Sequence, residues 1–374
     1  MAAAQRPQVR SFLHEPSSTF SYVVWDPDTR RAAVIDSVLD YEAESGRLST
    51  DTADELIRFV RDQGLEVEWV LETHAHADHL AGGAHVHRQL GGTTGIGVGI
   101  RQVQKHFKDV YGFERGFQAD GTPFEHLFED FESFRVGNIE ARAIPTPGHT
   151  SDHLTYQIGD AIFVGDTLFM PDGGTARCDF PGGSAHTLYQ SIQRLFELPD
   201  DTRLFVLHDY RPGGRDYRYE TTVGDQKRDN IHVGGGRSED DFVKLRTERD
   251  ATLGLPDLII PSVQINVRAG RRQRPALHQG ALEPPGRVLP DRARRGAAGM
   301  TIVNFTPWAG LIGGLLIGAS ASLLLWLNGR IAGISGIVAG ATVEPGGDRA
   351  WRWLFLAGLL GGAALAFWLV PGSL

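Results

Sequence analysis

Short stretches of apolar residues broken by turn residues fill the first two thirds of the chain. Residues 20–37, FSYVVWDPDTRRAAVIDS, contain two β-rich runs around a Pro-Asp-Thr-Arg turn, which predicts a hairpin. Residues 65–72, LEVEWVLE, predict a strand. Residues 134–169 alternate β-rich runs with Gly, Pro, Asn and Asp, which predicts several more strands.

Helical spacing appears between these runs. In residues 49–64, STDTADELIRFVRDQG, apolar residues recur at helical intervals up to Gly64, and Thr52 with Glu55 matches a capping box. Residues 186–210 predict a helix followed by a strand. Helices and strands interleave, so the fold class is α/β, but without the regular spacing of a parallel βαβ array.

The pattern changes after residue 268. Residues 269–300 are rich in Arg, Pro, Gly and Ala, which predicts a linker between a catalytic domain, residues 1–268, and a C-terminal segment, residues 301–374. Residues 308–327 and 353–370 carry no charge and are long enough to cross a bilayer. We therefore predict a helical membrane segment with two spans; two buried helices of a soluble domain are the alternative.

Charge and cysteine content narrow the functional classes. The net charge of −9 argues against nucleic acid as a partner. Cys178 is the single cysteine, which excludes an intrachain disulfide and fits a reducing compartment. The N-terminal residues turn polar at once, unlike a signal peptide. We expect the catalytic domain in the cytoplasm, attached to the inner membrane.

Histidines and an aspartate are concentrated in residues 71–82, LETHAHADHLAG. So many lone pairs and charges are readily compensated only by a cation. Further candidate ligands follow later apolar runs, and any one of them alone is typical of a turn or a cap. Together, in this order, they predict a metal site: His74, His76, Asp78, His79, His149, Asp166 and His208.

This ordered set, HAHADH followed by His149, Asp166 and His208, resembles the metallo-β-lactamase fold superfamily, an αββα sandwich, over residues 10–268. The resemblance implies two metal positions. His74, His76 and His149 would surround one position, and Asp78, His79 and His208 the other. Asp166 would reach either.

Several stretches look like the persulfide dioxygenases, sulfur-oxidising relatives of glyoxalase II: THAHADHLAG, PTPGHTSDHLTYQIGDAIFVGDTLFMPD, GTARCDFPGG, HDY and IIPSVQINVRAG. This resemblance implies one Fe(II) per chain on His74, His149 and Asp166. The other motif residues, His76, Asp78, His79 and His208, would lie behind those ligands. The implied reaction oxidises glutathione persulfide with O₂ to sulfite and glutathione.

The same side chains also bind zinc, so a second interpretation stays open. A glyoxalase II-like thioester hydrolase would use two zinc ions, with Asp78 orienting water or accepting a proton. Ala75 stands where that family has a histidine, and only residues 209–268 separate His208 from the linker. Both departures count against hydrolysis. A third interpretation is a non-catalytic sulfur-delivery module for the membrane segment.

Substrate contacts are predicted from side-chain chemistry. A guanidinium suits the carboxylates of glutathione, which selects Arg177 and Arg215, and a phenol can hydrogen-bond the peptide, which selects Tyr210. Asp78 and Tyr210 are the candidate catalytic side chains. Arg177 could instead pair with a nearby acid, Asp172 or Asp179. Cys178 is either a sulfur carrier or a buried small residue, and His153, in a polar turn, is predicted to lie outside the site.

The C-terminal residues carry a second resemblance. FTPW, a glycine repeat and NGRIAGISG, within residues 300–374, look like the start of a YeeE/YedE-type membrane protein, a family linked to transport of sulfur compounds. The resemblance implies two sulfur-metabolism genes joined by fusion or by a frameshift. Two spans are few for a transporter, so we expect a homo-oligomer. The chain would be cytoplasmic if the fusion is an artefact.

Overall fold

A computed structural model describes residues 6–43 and 45–271, together with residues 352, 353, 355 and 357. The chain splits into two compact units, Met1–Leu282 and Glu283–Leu374, of which the first is described below. The predicted linker and both predicted spans lie outside the described residues, apart from 269–271 and the four isolated positions. Among the helices of the described part, none is long and apolar enough to cross a membrane.

The described part contains short strands interleaved with helices. The strands are β1 (Gln8–His14), β2 (Thr19–Trp25), β3 (Arg31–Ile35), β4 (Val38–Glu42), β5 (Arg47–Ser49), β6 (Glu66–Leu71), β7 (Leu80–Ala81), β8 (Thr93–Gly97), β9 (His126–Phe128), β10 (Ser133–Val136), β11 (Ile139–Pro145), β12 (Leu154–Ile158), β13 (Ala161–Phe163), β14 (Arg203–Phe205) and β15 (Glu220–Thr222). The helices are α1 (Asp51–Asp62), α2 (Gly83–Leu90), α3 (Ile100–Tyr111), α4 (Ala185–Phe196), α5 (Val223–Asp229), α6 (Glu239–Asp250) and α7 (Ile259–Asn266).

Two six-stranded sheets form the framework. The first has the order β1-β2-β3-β6-β8-β9 and is antiparallel as far as β3 and parallel from there to β9. The second has the order β10-β11-β12-β13-β14-β15 and is antiparallel except for the parallel pair β13–β14. A small sheet, β5-β4-β7, lies beside them. The predicted hairpin of residues 20–37 is the β2–β3 pair.

The main core lies between the two large sheets. Alternate residues of each strand face it, because successive side chains in a strand point to opposite faces. Phe20, Tyr22 and Val24 of β2 contribute from the first sheet, and Tyr156 and Phe163 from the second. The ring centroids of Tyr22 and Phe163 are 5.2 Å apart, so the two sheets are in direct aromatic contact.

Helices cover the outer face of each sheet. Leu56 and Ile57 of α1 pack with Val23 of β2 on one side of the molecule. On the other side Leu188 of α4 packs with Ile162 of β13, and α6 adds Phe242 to the same cluster. The order of layers is helix, sheet, sheet, helix. The predicted α/β class and αββα sandwich are confirmed.

The start of α1 differs from the prediction. The capping box of Thr52 and Glu55 is wrong, because α1 begins at Asp51 and Thr50 is its N-cap. Both the backbone N–H and the hydroxyl of Thr52 donate to the Asp40 carboxylate, at 3.0 and 2.7 Å. A carboxylate from β4 therefore binds a free N–H of the helix terminus, which local sequence does not reveal.

Candidate metal centre

The predicted ligands stand in loops at the ends of strands from both sheets. The HAHADH loop follows β6 of the first sheet directly. His149 follows β11, Asp166 follows β13 and His208 follows β14, all in the second sheet. Thr19, which begins β2, forms an isolated β-bridge with His208. The seven side chains therefore meet at one edge of the sandwich, where loops of the two sheets face each other.

One group of three ligands consists of His74, His149 and Asp166. All three are buried, and their ligand atoms lie within 4.8 Å of one another. The Asp166 Oδ2 is 3.4 Å from the His149 Nε2 and 3.7 Å from the His74 Nε2. Two imidazoles and one carboxylate converge on a common point.

A second group consists of Asp78, His79 and His208, again with ligand atoms within 4.8 Å of one another. The His208 Nε2 lies 3.1 Å from the Asp78 Oδ2 and 3.4 Å from the Asp166 Oδ1. The two oxygens of Asp166 therefore face different groups. The donor atoms present are compatible with one metal ion or with two.

His76 is held differently from its neighbours in the motif. Its Nε2 lies 3.1 Å from the Asp36 Oδ1 and 3.2 Å from the Glu72 Oε2, while its Nδ1 has no hydrogen-bond partner. Burial lowers the pKa of His76, but the Asp36 and Glu72 carboxylates outweigh burial and raise that pKa well above its usual value. The geometry groups His76 with Asp36 and Glu72 instead of with His74 and His149.

The donor atoms of both groups fit a cation. Buried polar atoms normally have hydrogen-bond partners, yet several here have none: His74 Nε2, His79 Nε2, His208 Nε2 and Asp166 Oδ1. Burial lowers the pKa of His74 well below its usual value, and neighbouring imidazoles lower it further. Burial likewise lowers the pKa of His79 to about 4. Neutral imidazoles keep the lone pair that a metal ion needs.

The other nitrogen of each ligating histidine is held by the protein. The His149 Nδ1 donates to the Arg177 carbonyl at 2.7 Å. The Nδ1 atoms of His74 and His208 lie 3.1 and 3.2 Å from threonine hydroxyls. These contacts leave each Nε2 facing the site, the usual arrangement behind metal-binding histidines.

A cavity of about 290 Å³ opens onto the group of His74, His149 and Asp166. Its wall includes His149 and Asp166, and two of the residues predicted to contact substrate, Arg177 and Tyr210. Tyr210 is 58% exposed, and its ring stacks on that of His208 with 5.6 Å between centroids. Asp78 also lines this cavity, whereas Arg215 does not.

The two predicted substrate arginines are already paired. The Arg177 guanidinium donates to both oxygens of Asp179 at 2.6 Å and to the Gly254 carbonyl at 2.6 Å. Arg215 bridges two aspartates with hydrogen bonds of 2.6 to 2.8 Å: Asp172 and Asp209. Of the two possibilities for Arg177, substrate binding or pairing with a nearby acid, the structure shows pairing with Asp179.

An arginine that the sequence did not single out lines the same cavity. Arg249 of α6 is exposed, and within the described residues its guanidinium forms no hydrogen bond or ion pair. The third lining arginine, Arg246, is buried and donates to Asp250 and to the Thr175 carbonyl. Arg249 is therefore the cation of this wall that is free to bind an anionic group.

Two further residues beside the site have clear placements. Cys178 is buried, and burial raises the pKa of its thiol to about 12, which fits a buried small residue better than a sulfur carrier. His153, predicted to lie outside the site, is only 1% exposed and stacks on His74 with 4.7 Å between ring centroids. The turn that carries His153 folds inward, so this residue contacts a candidate ligand although it belongs to none of the ligand groups.

The comparison with protein families agrees with this geometry. The profile of the metallo-beta-lactamase superfamily matches residues 14–208, which include strands β2 to β14 and every candidate ligand. The chain belongs to the metallo-beta-lactamase superfamily. Superfamily members share the fold and the ligand positions but differ in chemistry, so membership does not by itself define the reaction.

Similar proteins carry different names. The chain is 47% identical over 273 residues to a beta-lactamase hydrolase-like protein of Xylella fastidiosa, a match that covers 73% of this chain and 63% of that relative. The chain thus spans less than two thirds of that relative's length. It is 46% identical over 270 residues to glyoxylase B2 of Dictyostelium discoideum, which covers 71% of this chain and 92% of the relative.

Persulfide dioxygenases are also among the relatives. The human mitochondrial persulfide dioxygenase ETHE1 is 31% identical over 205 residues, which cover 54% of this chain and 68% of ETHE1. The crystal structure of ETHE1 from Myxococcus xanthus superposes with a TM-score of 0.56 and 29% identity, covering 71% of this chain and all of that one. The comparisons give no support to a YeeE/YedE-type membrane fusion, and the residues of that resemblance lie outside the described part apart from four isolated positions.

Proposed function

We propose that this chain is an iron-dependent persulfide dioxygenase that oxidises glutathione persulfide. The observation that carries the proposal is the group of His74, His149 and Asp166, which we call the iron trio: two histidines and one aspartate, all buried, with ligand atoms within 4.8 Å of one another. This ligand set is typical of Fe(II) oxygenases, because three protein ligands leave coordination positions for a substrate atom and O₂. The likeness to ETHE1 proteins supports the same assignment.

The overall reaction balances without a further reductant. Glutathione persulfide, O₂ and water give glutathione, sulfite and two protons, with the outer sulfur oxidised and O₂ reduced. The protein's part is to bind the peptide and to orient its terminal sulfur toward the trio. Phe169, Phe180 and Ala77 supply apolar wall beside His149 and Asp166 for this purpose.

Arg249 is the residue we assign to a substrate carboxylate. It shares the cavity wall with His149 and Asp166 and has no competing acid, unlike Arg177. Arg249→Gln should raise the KM for glutathione persulfide by about 10- to 100-fold, the worth of one hydrogen bond between charged groups, with a small effect on kcat. The measurement is the rate of O₂ consumption against persulfide concentration.

Two controls sharpen that measurement. Lys244→Gln removes a positive charge from the exposed surface of the same helix, away from this cavity, and should leave KM unchanged. A small alkyl persulfide without carboxylates should react equally well with the parent protein and the Arg249→Gln variant. An unchanged KM for glutathione persulfide in Arg249→Gln would remove Arg249 from the substrate site.

A second candidate is a two-metal thioester hydrolase. The observation that favours it is the second ligand group, with Asp166 placed to contact both metal positions. The 46% identity to glyoxylase B2 points the same way. In that reaction Asp78 would orient a water molecule or accept a proton from it, a role that the dioxygenase does not require.

One experiment separates the two candidates. The full chain is purified without oxygen, its metals are counted, and it is offered glutathione persulfide with O₂ and, separately, a glutathione thioester. We expect about one iron per chain, O₂ uptake and sulfite. Two zinc ions, no O₂ uptake and thioester cleavage would refute the dioxygenase and support the hydrolase.

A further inference from the structure

His153 has no role in the reaction above, yet it contacts two members of the iron trio. It follows the His149 loop and immediately precedes β12. Its ring lies against that of His74 at an angle of 24°. Its Nε2 accepts the backbone N–H of Asp166 at 2.9 Å. One buried imidazole thus joins a ligand of the first sheet to a ligand of the second.

The hydrogen bonds around His153 define its tautomer. Because Nε2 accepts a hydrogen from Asp166, the ring hydrogen of a neutral imidazole must be on Nδ1. The Nδ1 lies 3.1 Å from the Thr146 hydroxyl, which serves as the acceptor. The Thr146 hydroxyl in turn lies 3.0 Å from the Thr155 hydroxyl, to which it can donate a hydrogen bond.

The neighbouring backbone is shaped to this ring. Gly165, which precedes Asp166, has a φ of +50°, and a Cβ there would lie 2.6 Å from the His153 Nε2. The same Cβ would lie 2.7 Å from the Thr73 hydroxyl, beside His74. A glycine is needed for this close approach, so the loop that carries Asp166 rests directly on the imidazole.

We propose that His153 is a positioning residue for the metal centre: its Nε2 fixes the main chain of Asp166, and its ring face fixes the plane of His74. The inference rests on the iron trio binding a metal ion, but not on the reaction proposed above. It predicts that metal affinity depends on a hydrogen-bond acceptor at residue 153 and not only on filled volume.

Two substitutions of His153 separate the effect of the hydrogen-bond acceptor from the effect of filled volume. His153→Gln keeps an acceptor, because the glutamine amide oxygen can occupy the place of Nε2. His153→Leu keeps apolar volume but leaves the Asp166 N–H without a partner. We expect the leucine variant to bind Co(II) about 10- to 100-fold more weakly than the parent chain, with an altered visible absorption spectrum, and the glutamine variant to recover most of that affinity. Titration of the metal-free full chain with Co(II) against a competing chelator measures both.

A matched control tests general loss of stability. The His232 Nδ1 also accepts a backbone N–H, that of Thr175, at 2.9 Å, and His232 is buried but touches none of the candidate metal ligands. His232→Leu should weaken folding without lowering Co(II) affinity. Equal losses of Co(II) affinity in His153→Gln and His153→Leu, or an unchanged affinity in a folded His153→Leu, would overturn the positioning role. Tight Co(II) binding that follows the predicted order, in a protein whose iron form consumes no O₂, would refute the dioxygenase alone.

Discussion

Replacement of His149 by alanine is expected to remove bound iron and O₂ uptake together while the fold survives. His149 supplies one of the three side chains of the iron trio, and its loss leaves one imidazole and one carboxylate. The fall in metal affinity should exceed the ~10- to 100-fold cost of changing a group behind a ligand. His149 belongs to none of the apolar clusters of the sandwich, so the metal-free variant should keep its circular dichroism spectrum. Metal content and O₂ uptake are measured on the same preparation.

The matched control is His186→Ala. His186 is an exposed histidine in the first turn of α4, paired with Glu239 at 3.1 Å, and belongs to none of the ligand groups. The His186→Ala protein should keep its bound iron and its O₂ uptake. A His149→Ala protein that retained a full complement of iron would show that the metal is bound by other residues, the second ligand group being the next choice.

The second large effect is expected from Gly148→Ala, one residue before His149. Gly148 has a φ of +138°, and a Cβ built on it would lie 2.4 Å from the backbone N and Cα of Leu188 in α4. Backbone atoms cannot turn aside as a flexible side chain can. We expect backbone strain of about 1–3 kcal/mol and steric crowding of about 1–3 kcal/mol in the Gly148→Ala variant. Together they should lower the free energy of unfolding by about 2–6 kcal/mol. Urea denaturation of the metal-free protein measures this cost.

A glycine in open space provides the comparison. Gly64, just beyond α1, has a φ of +60° and nothing within 4 Å of an added Cβ. Gly64→Ala should cost only about 1–2 kcal/mol, the price of the left-handed conformation. If both variants lost the same stability, the contact with Leu188 would not be the cause. Gly148→Ala should in addition weaken metal binding, because Gly148 precedes His149 directly.

The α/β class and the candidate ligands could be predicted from local sequence patterns, whereas the αββα sandwich and the grouping of the ligands were implied by the family resemblance. Two β-rich runs around a turn predicted the β2–β3 hairpin, and the density of histidines in the HAHADH motif indicated a metal site. Asp166 and His208 were identified by their place after short apolar strands, which the structure confirms as β13 and β14. Such features need no knowledge of distant partners.

The remaining features depend on partners far away in the chain. Thr52 looked like a helix cap until β4 brought Asp40 to it. Arg177 looked free to bind substrate, but Asp179 and the Gly254 carbonyl use its donors. Arg249 stands in a largely polar helix without an apolar stripe, so the sequence does not show which polar side chains face the cavity. Only the assembled fold shows which charges are left unpaired.

The division of the ligands between the two sheets has a consequence for biosynthesis. His74 is translated long before Asp166, the last member of the iron trio. At about 5–20 residues per second, the ribosome needs roughly 5–18 seconds to add the 92 residues from Ala75 to Asp166. During that interval the nascent HAHADH loop carries imidazoles without the carboxylate that completes the trio. The complete ligand set is therefore available only after Asp166 has been added, and the metal ion that binds depends on the ions present at that time. Expression in iron-poor or zinc-rich medium should change which ion the purified protein carries.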